Sequence, residues 1–232
     1  MEDREHPFFA LPPRAQLSVQ LRVGAAVVAA IGALVATALG LEHYWMLSLG
    51  LVPLQIAAPF IDGPSGKRSG SLVYYAPLFL VEPRSDGSAA LHGGTLFDYW
   101  FVFDRSMDAT ARKRRVLYDY VRGLIALAEQ QQQTGGPSFE LYATTYFIGP
   151  AMAKRAGFVP TAAHAGVALL WLNIIQLTLA YSLVSRRVRI PPVHRSRSYE
   201  ASIETVVSRL PQLRALEARL RRLALAPRRP RR

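Results

Sequence analysis

Residues 23–41 read VGAAVVAAIGALVATALGL, nineteen uncharged residues with Thr37 as the single polar side chain. At 1.5 Å per residue, a helix of that length covers roughly 30 Å, the thickness of a bilayer core. The apolar core of a cleaved signal peptide is shorter, about 7–15 residues, and leads to a small-residue cleavage site. Here only Glu42 and His43 intervene before a second uncharged run, Tyr44–Ile61. Tyr44 and Trp45 open that run, where aromatic rings favour the head-group level. Pro53 kinks the second helix, a cost that neighbouring helices absorb. The pattern predicts a transmembrane helical hairpin over 23–61.

A third uncharged stretch lies between Arg155 and Arg186, most apolar over 165–184. Asn173 and Gln176 fall on one helical face within it, and amides in lipid need partners. Basic residues flank every run: Arg14 and Arg22, then Lys67 and Arg68, then Arg186, Arg187 and Arg189. All three clusters ask for the cytoplasmic side. A two-span hairpin satisfies them together only if 165–185 stays as a buried or membrane-resting helix. The chain therefore reads as an integral inner-membrane protein with both termini and the main domain cytoplasmic. Its parts are an N-terminal segment 1–22, the hairpin 23–61, a domain 62–164, the apolar helix 165–185 and a basic region 186–232.

Of 232 residues half are apolar and only 19% charged, which excludes disorder as the main state. The absence of cysteine excludes a disulfide scaffold, a thiolate zinc site and a cysteine nucleophile. The last 47 residues hold 14 basic and 3 acidic groups, and so carry +11 of the net +12. Such a region seeks a polyanion: membrane lipid, an acidic protein partner or nucleic acid, the last disfavoured by the membrane setting.

The domain reads as α+β, a small mostly antiparallel sheet with helices on one face. Ser71–Glu82 is strand-rich but broken by Pro77. Asp86-Gly87 and Gly93-Gly94 are turn signals around a short strand, Ser88–His92. Thr95–Phe103 (TLFDYWFVF) alternates as a third strand. A helix follows, capped by Asp104 or Ser106, with Val116, Val121, Leu124 and Ala128 on its apolar stripe. Phe139–Ile148 is a further strand, and Pro150 starts a short helix. In the basic region Glu200–Leu210 reads as helix. Leu213, Leu216, Leu220 and Leu223 then form a stripe with Arg214, Arg221 and Arg222 away from it, as in helices that lie on anionic membrane or dock on their own domain. The final Pro-Arg-Arg-Pro-Arg-Arg reads as disordered.

His92-Gly-Gly-Thr95-Leu-Phe-Asp98-Tyr99 is the string closest to an enzyme's. His92 is a candidate general base, Asp98 a carboxylate to orient it, and Thr95 and Tyr99 are accessory polar groups. The same glycines are explained by a turn alone. Arg112-Lys113-Arg114-Arg115 is a candidate anion or lipid site together with Arg186, Arg187, Arg189, Arg214, Arg221 and Arg222, or else a solvated helix face. The five histidines are scattered without ligand spacing, and phosphate-loop and dinucleotide motifs are missing, so no metal or cofactor is expected.

Phe139–Phe158, FELYATTYFIGPAMAKRAGF, resembles the closing part of the GNAT acyltransferase fold over about 20 residues. That resemblance implies a Gly-rich pyrophosphate loop before the preceding helix, where this chain has Ser106–Arg115 instead. Three functions stand as expectations. One is a tethered binding or assembly module whose basic tail engages anionic lipid or an acidic partner. The second is a membrane-associated acyltransferase or hydrolase using His92 and Asp98. The third is a small transporter subunit using Asn173 and Gln176. Substrate and oligomeric state are not legible.

Overall fold

The computed structural model describes residues 5–162 and 166–224. The expected disorder at the chain's end, and His164, lie outside them. Two helices are long and apolar enough to cross a membrane: α1 (Pro13–Gly40), and α2 (Leu51–Ser69) extended by a 3-10 turn from Tyr44. They pack on each other as an antiparallel pair, with Glu42 turning the chain at φ 56°. Ala38 is the one buried residue of α1, so the surface of its apolar window stays open. Water is a poor solvent for that surface.

The rest of the chain is α+β. Six strands are described: β1 (Val73–Ala76), β2 (Phe79–Pro83), β3 (Ala89–Gly93), β4 (Glu140–Thr145), β5 (Val159–Thr161) and β6 (Arg197–Ser202). They form one sheet in the order β1-β2-β3-β4-β6-β5. Pro77 cannot donate to a ladder, and at Pro77-Leu78 the run Ser71–Glu82 folds back into the β1–β2 hairpin. Gly87, at φ 82°, turns β2 into β3. The long helix α4 (Ala109–Thr134) carries the chain across to β4, so β3 and β4 are parallel while the other neighbours are antiparallel. Asp108, not Asp104 or Ser106, caps α4, accepting the Ala111 N–H at 2.8 Å. Gly135, left-handed at φ 60°, ends it.

Two sequence expectations are corrected. Thr95–Phe103 is not a strand: Leu96–Val102 forms α3. Every second residue of that string is aromatic, and a spacing of two is also a spacing of four. Phe97 and Phe101 therefore meet at 5.2 Å, and Tyr99 stacks on Phe103 at 5.3 Å, as i,i+4 pairs. Asp98 at the third helical position accepts the Thr95 N–H at 2.6 Å, the carboxylate half of a capping box, and this starts the helix. The basic region likewise does not carry one helix over Glu200–Leu210, since Arg197–Ser202 is a strand. Its residues supply β6, which sits inside the sheet, and then α8 (Ile203–Ser208) and α9 (Leu210–Ala224).

Two cores result. In the first, α4, α8 and α9 cover one face of the sheet through Phe79, Val81, Leu141, Tyr199, Leu124 and Leu213. Burying one such side chain contributes about 1.5–3 kcal/mol. In the second, α3 and α7 (Ile174–Ser185) gather around Phe97 with Phe8, Phe60 and Val116. Residues 5–12 are thus part of the domain. After β4, Pro150 starts α5 (Pro150–Arg155), and the third apolar run is α6 (Gly166–Leu172) and α7, bent at Asn173. Its first half packs on β6 and its second half on α2, α3 and α4, so both ends are held by the domain.

Candidate active site

β3 and β4 pair over three registers only, Ala89 with Leu141, Ala90 with Tyr142 and Leu91 with Ala143. Beyond them each strand keeps its outer neighbour: His92 and Gly93 stay bonded to β2, Thr144 and Thr145 to β6. Two strands held from outside but not to each other must diverge. The carboxyl ends of parallel strands are where open α/β sheets bind ligands. The wedge leads into a cavity of about 1630 Å³ that passes from one face of the sheet to the other.

On the face away from α4 the register places Glu82, His92, Tyr142, Thr144 and Ser198 side by side. His92 Nε2 lies 2.8 Å from Glu82 Oε2, both side chains about half exposed. Thr144 and Ser198 hydroxyls are 3.0 Å apart, and the Arg84 guanidinium sits 5.6 Å from the centre of the Tyr142 ring. On the α4 face the wedge is closed by tyrosines. Tyr99 and Tyr120 are hydrogen-bonded, and Tyr146 stands near Tyr120 and stacks edge-on to Tyr181 at 6.0 Å. Burial drives the Tyr99 and Tyr146 phenols well above their usual range, and pushes Tyr120 up to about 12. These hydroxyls therefore remain donors at any physiological pH. A Cβ added at Gly93 would fall on the Tyr120 hydroxyl, so glycine there is what lets the phenol reach β3. Leu170, Leu177 and Ala180 of α6 and α7 form an apolar wall, with Asn173 and Gln176 as its polar points.

The expected catalytic string is divided between two places. His92 is in the wedge, bonded to Glu82. Asp98 is fully buried elsewhere: Oδ1 accepts from the Tyr74 hydroxyl at 2.9 Å, and Oδ2 from Thr95 N–H and Oγ1. His6 Nε2 approaches Asp98 Oδ1 at 3.2 Å, an ion-pair distance without hydrogen-bond alignment. His6 Nδ1 accepts the Phe8 N–H, so the proton is on the nitrogen facing Asp98. The His92–Asp98 pair is thus not formed, because Asp98 and Thr95 serve the start of α3. Thr95 and Tyr99 do line the cavity. Glu82, Tyr120 and Tyr146 were missed. Folding Ser88–His92 back on Ser71–Glu82 about Asp86-Gly87 would have found Glu82, since it sets Pro83 opposite Ala89 and Glu82 diagonal to His92.

The basic residues do not form one site. Arg112 is buried, donating to the Leu183 carbonyl at 2.6 Å and the Asp104 carbonyl at 3.1 Å. Arg115 donates to Asp119 at 3.1 Å, Arg114 is half buried, and Lys113 faces solvent. Arg214 pairs with Glu129 while Arg221 and Arg222 are exposed. The stripe of α9 is spent internally, with Leu213 and Leu220 buried against α4, so α9 is not a free membrane-surface helix. Arg186 donates to the Met107 carbonyl, and Arg187 and Arg189 are exposed. Among the described residues no cluster of three metal-ligating side chains occurs. Comparison with known proteins finds no matching family model, no matching curated protein and no matching solved structure.

Proposed function

We propose that the chain is a membrane-anchored acyltransferase. On this reading α1 and α2 cross the bilayer, the domain lies on the cytoplasmic side, and the acyl donor occupies the wedge between β3 and β4. The observation that carries it is the parting of two parallel strands over a large, mainly apolar cavity with a histidine–carboxylate pair at its mouth. Peptide groups on the two diverging edges can hydrogen-bond an extended, amide-bearing donor as a strand would. An acyl chain fits against Leu170, Leu177 and Ala180. Within Phe139–Phe158, the segment that resembles the closing part of the GNAT fold, β4 is followed by a short helix, Pro150–Arg155. The Gly-rich pyrophosphate loop is still missing, since α3 and the loop to Asp108 stand where it would be. That departure favours a donor gripped by its chain.

The chemistry is transfer from a thioester to an amine or hydroxyl. Glu82 holds the Nε2–H of His92, which leaves Nδ1 free to take the acceptor's proton as its nitrogen or oxygen attacks the carbonyl carbon. Tyr120 donates to the oxygen that becomes negative. The C–S bond then breaks and the proton passes to the leaving thiolate. The test is thiol release from long-chain acyl thioesters by the full chain in lipid nanodiscs, with water and small amines as acceptors. Since the chain has no cysteine, it adds no thiol background. His92→Ala should slow release by about 10²–10⁴ and Glu82→Gln by less. No release by the wild type, or an unchanged rate in His92→Ala, would sink the proposal.

A further inference from the structure

After α7 ends at Ser185, the chain runs Arg186-Arg187-Val188-Arg189-Ile190. Val188 is 92% exposed and Ile190 74%, on a loop rather than in the hairpin. Val188 and Ile190 stand between and beside three arginines, so one short loop offers aliphatic tips and cationic groups together. The loop is built, not slack. Ser182 Oγ accepts the Arg189 N–H at 3.0 Å, Ser185 Oγ donates to the Arg187 carbonyl at 2.8 Å, and Arg186 donates to the Met107 carbonyl at 3.2 Å.

Its position relative to the hairpin follows from the second core. Leu179 and Leu183 of α7 pack in the same cluster as Val19 and Val23 of α1 and Ile56 of α2. Val23 is the first residue of the uncharged run, directly after Arg22. α7 thus packs in the cluster that also holds Val19 and Val23 at the start of the uncharged run, and 186–190 follows directly after its last turn. Trp100, on α3 against α7, is also exposed.

We propose that residues 186–190 form a second membrane contact, with Val188 and Ile190 inserted among the acyl chains and Arg186, Arg187 and Arg189 on anionic head groups. Aliphatic tips supply depth and arginines supply selection for a negative leaflet. Docking there would hold the domain against the bilayer with the α6–α7 wall of the cavity beside the lipid. The inference rests on the hairpin crossing the bilayer and is independent of the chemistry in the wedge.

The experiment uses full-length protein in nanodiscs with an environment-sensitive thiol fluorophore at one introduced cysteine and lipids carrying spin-label quenchers. Val28→Cys, on the open surface of α1, reports whether the hairpin is in lipid. Ser88→Cys, in the β2–β3 turn, is the aqueous control. Val188→Cys should be quenched nearly as strongly as Val28→Cys in phosphatidylglycerol-containing discs. Replacing Arg187 and Arg189 by Ala should lower the ratio of docked to undocked loop by about fivefold per arginine. If Val28→Cys is quenched while Val188→Cys behaves like Ser88→Cys, the loop contact is overturned and the hairpin stands. If Val28→Cys is not quenched, the hairpin and the loop contact both fall. Equal quenching of Val188→Cys in purely zwitterionic discs would overturn the anionic-lipid assignment.

Discussion

His6 and Asp98 meet at 3.2 Å with side chains 1% and 0% exposed, whereas His92 and Glu82 meet at 2.8 Å with side chains 47% and 48% exposed. Each pair joins a histidine to a carboxylate, and the settings are opposite. Around the first pair every neighbour is already engaged: Tyr74 and Thr95 fill the carboxylate, and the His6 ring stacks on Phe97 at 5.1 Å. A pair so enclosed has no room for a substrate and works as a clasp, fixing residues 5–12 to the start of α3. The second pair stands at the mouth of a cavity with only Glu82 on the ring. Solvent weakens its Coulomb attraction, so its contribution to stability is small and its chemistry is available. Exposure, not identity, separates the two roles.

That contrast can be broken in several ways. Asp98→Ala should cost the most, about 3–5 kcal/mol, because it strands the Tyr74 hydroxyl, the Thr95 N–H and His6 together. Thermal unfolding of the solubilised protein reads it, and Asp98→Asn, which keeps an acceptor oxygen, should recover part of the loss. A change below 1 kcal/mol would mean that the clasp is not formed. His6→Ala should cost less, about 1–3 kcal/mol, since Asp98 keeps all three of its donated hydrogen bonds. Limited proteolysis near residues 5–12 should accelerate with it.

Tyr120 sharpens the comparison from the cavity side. Its phenol is raised from 10.0 to about 12 by burial, so the folded state binds that proton more tightly than the unfolded chain. The resulting stability is complete below pH 10 and is lost as pH rises from 10 through 12. Tyr120→Phe should remove that part of the alkaline loss, and a denaturation series across this range would show it. The smallest effect belongs to the exposed pair: His92→Ala and Glu82→Gln should each alter stability by less than about 1 kcal/mol. A loss from His92→Ala as large as that from His6→Ala would mean that both pairs are structural, and the distinction would collapse.

Elements whose signal is local were legible. The uncharged runs announce α1 and α2, Pro77 breaks its strand, Gly87 turns one, and the apolar stripe from Val116 to Ala128 lies on the buried side of α4. Thr95–Phe103 misled because every second residue being aromatic satisfies a strand and, at every fourth, a helix. The capping contact from Asp98 to Thr95 decided between them. β6 was invisible for another reason: Arg197–Ser202 is short and polar, and it becomes a strand only because β4 and β5 stand on either side of it. Of the cavity lining, His92, Thr95 and Tyr99 stood out in the sequence, and Glu82 did not for want of the hairpin register.

By itself, then, the sequence determined the apolar hairpin, the α+β class and the concentration of basic residues after Ser185. These follow from composition and spacing within single segments. Only the tertiary structure decided which carboxylate meets which histidine, that β3 and β4 part, that α9 docks on α4, and that Val188 and Ile190 are left outside. Those depend on contacts between residues far apart in the chain, where the cost of ordering each segment is repaid only once its partner is in place.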